Sequence, residues 1–208
     1  MDLERWWPDL LSEQPQIRER LVTAYDDPAR GYHDLRHLRE VLEHLDDLVP
    51  ADHPERDAVV LAAWFHDAVY DAVGDNEERS ARLADAVLTQ AGVPIPLVDE
   101  VTRLVRLTAG HDPAADDLPG QLLCDADLAI LAAPAARYDA YLAGVRRDYA
   151  YVSDPDFAAG RAAVLRDLAG RARLFHTRYA REQWEPAARA NLARELAGVE
   201  AAAVHQDM

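Results

Sequence analysis

Eight apolar residues in succession, Ala58 to Phe65, run directly into His66 and Asp67. Ala58, Leu61, Ala62, Phe65 and Val69 fall at i, i+3, i+4 spacing, which predicts a helix over residues 55–70 with that stripe in the core. Charged groups are rarely buried in such a helix unless they are paired or bind a metal. His66-Asp67 is therefore either a hydrogen-bonded couple inside the core or the floor of a site.

The helical period recurs almost everywhere else. It predicts helices over residues 8–25, 34–48, 75–90, 97–109, 120–132, 135–151, 156–179 and 182–204, joined by short connections. Asp34 can cap the second of these. Asp75 with Glu78 has the spacing of a capping box at the fourth. Half of the residues are hydrophobic and only 7% are aromatic, a balance that favours helices over sheets. No segment alternates as a strand does. The expected fold class is all-α: one compact multi-helix domain over residues 1–208, closing on a C-terminal helical extension.

The formal net charge is −16, and all 22 basic residues are arginines. That charge argues against binding long nucleic acids, which requires neutralising many phosphates. It leaves room for a small anion held by a local group of arginines. The single cysteine, Cys124, permits no intrachain disulfide. The N-terminus lacks the features of a signal peptide, and no apolar run reaches the roughly 20 residues of a membrane span. The expectation is a cytoplasmic protein without a membrane partner.

Four separated segments carry metal-ligand side chains. They are Tyr32-His33-Asp34-Leu35-Arg36-His37, then His66-Asp67, then Thr108-Ala109-Gly110-His111, then Cys124-Asp125-Ala126-Asp127-Leu128. Imidazoles and carboxylates together form a mixed nitrogen and oxygen set. It suits a divalent Mn, Fe, Co, Ni or Zn ion, and Mg less well. Two His and two Asp leave coordination positions open for water and substrate.

The order His, His-Asp, Asp on successive helices, carried by "YHDLRHL", "AWFHDAVYD", "DNEERSA" and "DADLAILA", resembles the HD-domain superfamily of metal-dependent phosphohydrolases. It resembles in particular a bacterial branch of predicted phosphohydrolases, whose members also end like "FHTRYAREQWEPAARANLARE". The resemblance spans about Trp6 to Leu196. It implies a metal set of His37, His66, Asp67 and one aspartate of the last segment. Asp127, with Ala126 before it and Leu128 after it, fits the superfamily's apolar spacing better than Asp125, which is kept as the alternative or as a partner orienting an imidazole. By analogy with related cyclic-nucleotide phosphodiesterases, His37 is the ligand and His33 the general acid.

The resemblance further implies hydrolysis of a small phosphorylated molecule, by default a nucleotide, through attack of metal-bound water. Arg36 or Arg79 would offset phosphoryl charge, Glu77 or Arg79 at the site rim would meet substrate or an ordered water, and His111 would face a second metal or a phosphate oxygen. Two rival functions go with the same residues. One is a catalytically silent module that binds a nucleotide or a protein partner. The other is a di-iron HD oxygenase, which needs two further histidines between Asp67 and Asp127, where this chain has only His111.

Each of these residues also has a plainer reading. His33 and His37 suit a solvated turn and helix start, and Glu77, Glu78 and Arg79 suit capping and a surface charge run. His111 suits a satisfied core or rim histidine. Tyr138, Tyr141 and Trp184 sit at helical spacing and read as core. His176, Arg189 and Asn191 lie in the family-like ending with no role that their spacing assigns.

Overall fold

A computed structural model describes residues 3–71 and 74–206. It consists of ten α-helices and three short 3-10 segments packed into a compact bundle, with no strand among the described residues. The helices are α1 (Pro15–Tyr25), α2 (Leu35–Leu48), α3 (Arg56–Phe65), α4 (Asn76–Gln90), α5 (Ile95–Leu107), α6 (Leu118–Leu128), α7 (Ala135–Asp148), α8 (Asp154–Gly170), α9 (Arg178–Gln183) and α10 (Glu185–Gln206). None of the helices is long and apolar enough to cross a membrane, among the described residues.

Local chemistry accounts for most helix starts. The Asp34 carboxylate accepts from the backbone N–H of Arg36 and His37 and caps α2. Pro15 opens α1, where a missing N–H costs nothing. The expected helix over residues 8–25 therefore divides into a 3-10 turn (Asp9–Leu11) and α1. At α4 the expected capping box does not form. Asp75 is in the left-handed region at φ 53° with no side-chain cap, and Glu78 instead receives Arg106 and Arg82.

The expected helix over residues 156–179 also breaks. α8 ends at Gly170, and the next turn is pulled out of helical geometry by two acids from elsewhere. Glu185 accepts from the N–H groups of Leu174 and Phe175. Asp125 accepts from those of His176 and Thr177, both at 2.7 Å. The Thr177 hydroxyl then caps α9.

Two hydrophobic clusters form the interior. One surrounds α3, all of whose residues from Ala58 to Phe65 are buried, and takes in Leu38, Leu42 and Leu104. The other joins α7 to α10 through Tyr138, Leu165, Phe175 and Leu192. Tyr138 and Tyr141 are core, as their spacing suggests, and the half-buried Trp184 packs edge-on against Phe175. Burying each large side chain is worth roughly 1.5–3 kcal/mol, so the bundle stands on these two clusters.

The loop before α2 is where the clusters meet. Tyr32 belongs to the second cluster, yet its ring lies against His37 of α2, centroids 4.6 Å apart. The approach is close because Gly31 faces Gly144 of α7. A Cβ on Gly31 would stand 2.0 Å from the Gly144 carbonyl oxygen and 2.9 Å from the Asp148 nitrogen. Gly31→Ala should therefore lower stability by about 1–3 kcal/mol, the usual cost of overpacking. Urea denaturation measures it, and an unchanged midpoint would show that the loop can move aside freely.

Candidate metal centre

α3 stops at Phe65, five residues short of the expected helix end, and this stop builds the site. His66 and Asp67 leave the helix in a tight turn. Their backbone is held from three sides. The Asp67 N–H donates to the Tyr25 hydroxyl, and the Val69 N–H donates to Ser80. The buried Arg30 guanidinium donates to the carbonyls of Asp67 (2.7 Å), Ala68 (3.2 Å) and His33 (2.8 Å). Arg30 thus ties the loop before α2 to the end of α3.

The two helices meet at His37 and His66, whose Nε2 atoms lie 3.0 Å apart. Asp127 Oδ1 stands 3.2 Å from the first and 3.6 Å from the second. Asp67 Oδ2 is 3.1 Å from His66 Nε2 and 3.4 Å from His37 Nε2. His37 and His66 are 2% and 1% exposed, so these polar groups have almost no water to fall back on. On the far side of Asp127, its Oδ2 meets His111 Nε2 at 2.8 Å. His111 follows α5 with φ at 49°, a left-handed position where His is tolerated but uncommon.

The donor chemistry fits a metal. His66 Nδ1 donates to the Ala63 carbonyl at 2.7 Å, which fixes the tautomer and leaves Nε2 with its lone pair facing the centre. Two buried imidazole nitrogens face one another beside two carboxylates, a mixed nitrogen and oxygen donor set of the kind that binds divalent cations. The buried His37–His66–Asp127 group could hold a metal ion, since one ligand atom from each lies within 4.8 Å of the others.

His33 sits at the edge of this group. Its Nδ1 donates to Asp148 Oδ2 at 2.9 Å, and its ring stacks on Tyr70 with centroids 4.0 Å apart. The Asp148 side chain is 2% exposed and also accepts from the N–H groups of Gly31 and Tyr32. His33 Nε2 is left available. His33, Asp67, His111 and Asp127 line a cavity of about 870 Å³, as does Glu77.

Of the residues singled out in the sequence, His33, His37, His66, Asp67, His111 and Asp127 converge. Asp125 does not. It is buried on another face of α6, holding the segment before α9 in place. Arg79 does not join either, because Asp71 engages its guanidinium at 2.7 and 2.8 Å. Arg36 is exposed and bonded to Glu40. Asn191 donates to the Leu131 and Ala133 carbonyls, and Arg189 to those of Ala169 and Arg171, so both are packing residues. His176 contributes its backbone N–H to Asp125. Arg30 and Asp148 were not legible in the sequence. Arg30 sits in an ordinary turn, and Asp148 lies 115 residues from His33 with nothing local to distinguish it.

Comparisons with protein-family models, curated proteins and solved structures find no match for this chain.

Charge is tightly coupled here. Burial opposes a charged His37, but hydrogen bonds and charge from Asp127 and Asp67 outweigh it and carry its pKa from 6.5 to about 10. His66 also moves up, as the charges of Asp67 and Asp127 overcome its burial. Burial would raise Asp67 and Asp127, yet both fall below the ordinary 3.8 because of the facing imidazoles, His66 first among them.

Two predictions follow from this geometry. Asp127→Asn should lose metal on dialysis against chelator. Asp125→Ala should keep it but cost about 1–3 kcal/mol for each backbone N–H left without a partner. Metal content and urea midpoints separate the two roles, and the reverse pattern would exchange the assignments.

The second concerns pH. For the histidines the folded pKa lies above the unfolded one, so their stabilisation is complete below pH 6.5 and is lost as pH rises, for His37 toward about 10. For the carboxylates the folded pKa is lowered, so theirs is present above pH 3.8 and is lost on acidification. Chelator-treated protein should therefore melt highest between pH 3.8 and 6.5. Added divalent metal should raise Tm most at higher pH, where imidazoles are free to ligate. A metal effect that shrinks as pH rises from 6 to 8 would contradict this.

Proposed function

We propose that this chain is a metal-dependent phosphohydrolase of the HD type, acting on a small phosphorylated molecule. What carries the reading is one juxtaposition. His37, His66, Asp67 and Asp127 form a buried mixed-donor group, and His33 stands beside it on an open cavity with Nδ1 held by Asp148. The order of these residues along the chain, which resembles the HD superfamily, supports the same reading.

His37 and His66 would hold a divalent ion through Nε2, and Asp127 and Asp67 through carboxylate oxygens. The ion supplies Lewis acidity toward a phosphoryl oxygen and lowers the pKa of a bound water. The rest is work for this chain's own side chains. His111 holds one Asp127 oxygen and leaves the other for the centre. Asp148 holds His33 through Nδ1 in a fixed orientation, which places Nε2 to give a proton to the departing oxygen. The Arg30 clamp keeps His33 and Asp67 in register.

A phosphate-release assay over phosphomonoesters and nucleotides, run with Mn, Co, Ni and Mg in turn, tests the activity. His33→Ala tests the mechanism. It should retain metal, lose about 10²–10⁴-fold on an alkyl phosphate, whose leaving group needs a proton, and lose far less on nitrophenyl phosphate. Loss of metal in that variant would make His33 a ligand, and equal losses on both esters would leave it a role in positioning only.

A further inference from the structure

The cavity beside the metal centre has a mixed lining, with large apolar side chains among its polar ones. Besides His33, Asp67, His111 and Asp127, its lining includes the apolar Ile130, Leu131, Val145, Tyr149, Phe157 and Val164. Tyr149 and Val164 are 40% and 49% exposed, large apolar side chains left uncovered along the opening. An apolar surface of this kind, in the same pocket as a few polar groups, is what a ligand with an apolar body requires.

The charges of the same wall limit the ligand further. Among the described residues, two arginines reach the cavity, and carboxylates already engage both. Arg161 makes a two-point contact with Glu195, at 2.6 and 3.0 Å, and donates to the Tyr141 hydroxyl. Arg171 is bonded to Asp167. Glu77, Asp156 and Asp167 add negative charge to the lining. A second or third phosphate would find no uncommitted arginine there, and charge-assisted bonds are what polyphosphate recognition needs. The phosphoryl group nearest the metal centre is the one anion the cavity can serve.

We infer that the substrate is a monophosphate ester of a bulky apolar alcohol, with its phosphate at the metal centre and its body along the α7–α8 wall. The inference rests on the phosphohydrolase reading for its reaction. The cavity's choice of ligand is independent of turnover. A cavity of about 870 Å³ is large for phosphate alone and lies within the range of pockets that enclose whole small molecules.

The test is a series of n-alkyl monophosphates from butyl to decyl, with AMP and ATP alongside, on the Mn-loaded full-length protein. Binding is followed by calorimetry and turnover by phosphate release. Affinity should rise by up to about fourfold per buried methylene. The gain should appear as a falling KM with kcat little changed, because the body binds equally in ground and transition states. Val164→Glu should flatten the series, whereas Leu10→Glu, at an exposed site outside the cavity, should leave it as it is. Helical circular dichroism confirms that both variants fold. A flat series in binding, or a higher kcat/KM for AMP or ATP than for decyl phosphate, overturns the inference. Chain-length-dependent binding without phosphate release from any ester would support the cavity's ligand class while removing the reaction proposed above.

Discussion

Two imidazole nitrogens 3.0 Å apart inside a packed core, with two carboxylates against them, set the conditions that the rest of this molecule must meet. Unpaired, any one of these charges would cost several kcal/mol to bury. Together they compensate one another, provided that a proton or a cation lies among them. Removing one partner leaves the others uncompensated. His37, His66, Asp67 and Asp127 therefore behave as one unit, and the chain has to deliver all four to the same point from three separate segments.

The delivery depends on interactions that are not themselves chemistry. α3 must end at Phe65 for His66 and Asp67 to turn inward, and a helix ending inside the core leaves carbonyls that need donors. His66 Nδ1 serves the Ala63 carbonyl, and Arg30 serves those of the turn that follows, Asp67 and Ala68. Because Arg30 makes its third bond to the His33 carbonyl, it also couples the end of α3 to the loop before α2. On the other side Asp148 binds that loop through the N–H groups of Gly31 and Tyr32 and through His33 Nδ1. One short loop is thus held to the first cluster by an arginine and to the second by an aspartate. Its histidine stands at their junction.

The sequence announced the residues whose type was out of place and was silent on those whose type was ordinary. His66-Asp67 was legible because eight apolar residues precede it. Asp34 was legible as a cap, and the bundle itself from the helical period. Asp125 and Asp127 looked nearly alike. They are two positions apart on α6, so their side chains diverge by about 200° and meet different parts of the molecule. Helix breaks were invisible where the cause is distant. Nothing within residues 171–177 says that Glu185 and Asp125 will claim their backbone N–H groups. The same holds for Arg79, which carries the right charge but faces Asp71.

His111 joins these layers. Its imidazole takes Asp127 Oδ2, which directs Oδ1 toward the two buried histidines. Its backbone is held at φ 49°, a conformation that survives only when its surroundings fix it. Part of that support comes from the Leu107 carbonyl that ends α5 and accepts from the His111 N–H. Arg171, just past the end of α8, approaches the carbonyls of Gly110 and His111 at 3.4 Å while held by Asp167. α8 also furnishes Phe157 and Val164 to the cavity wall. The element that furnishes Phe157 and Val164 to the cavity is therefore tied, through Arg171 and His111, to the orientation of the Asp127 carboxylate. A shift of α8 would alter both at once, which makes ligand shape and ligating geometry properties of a single packed unit.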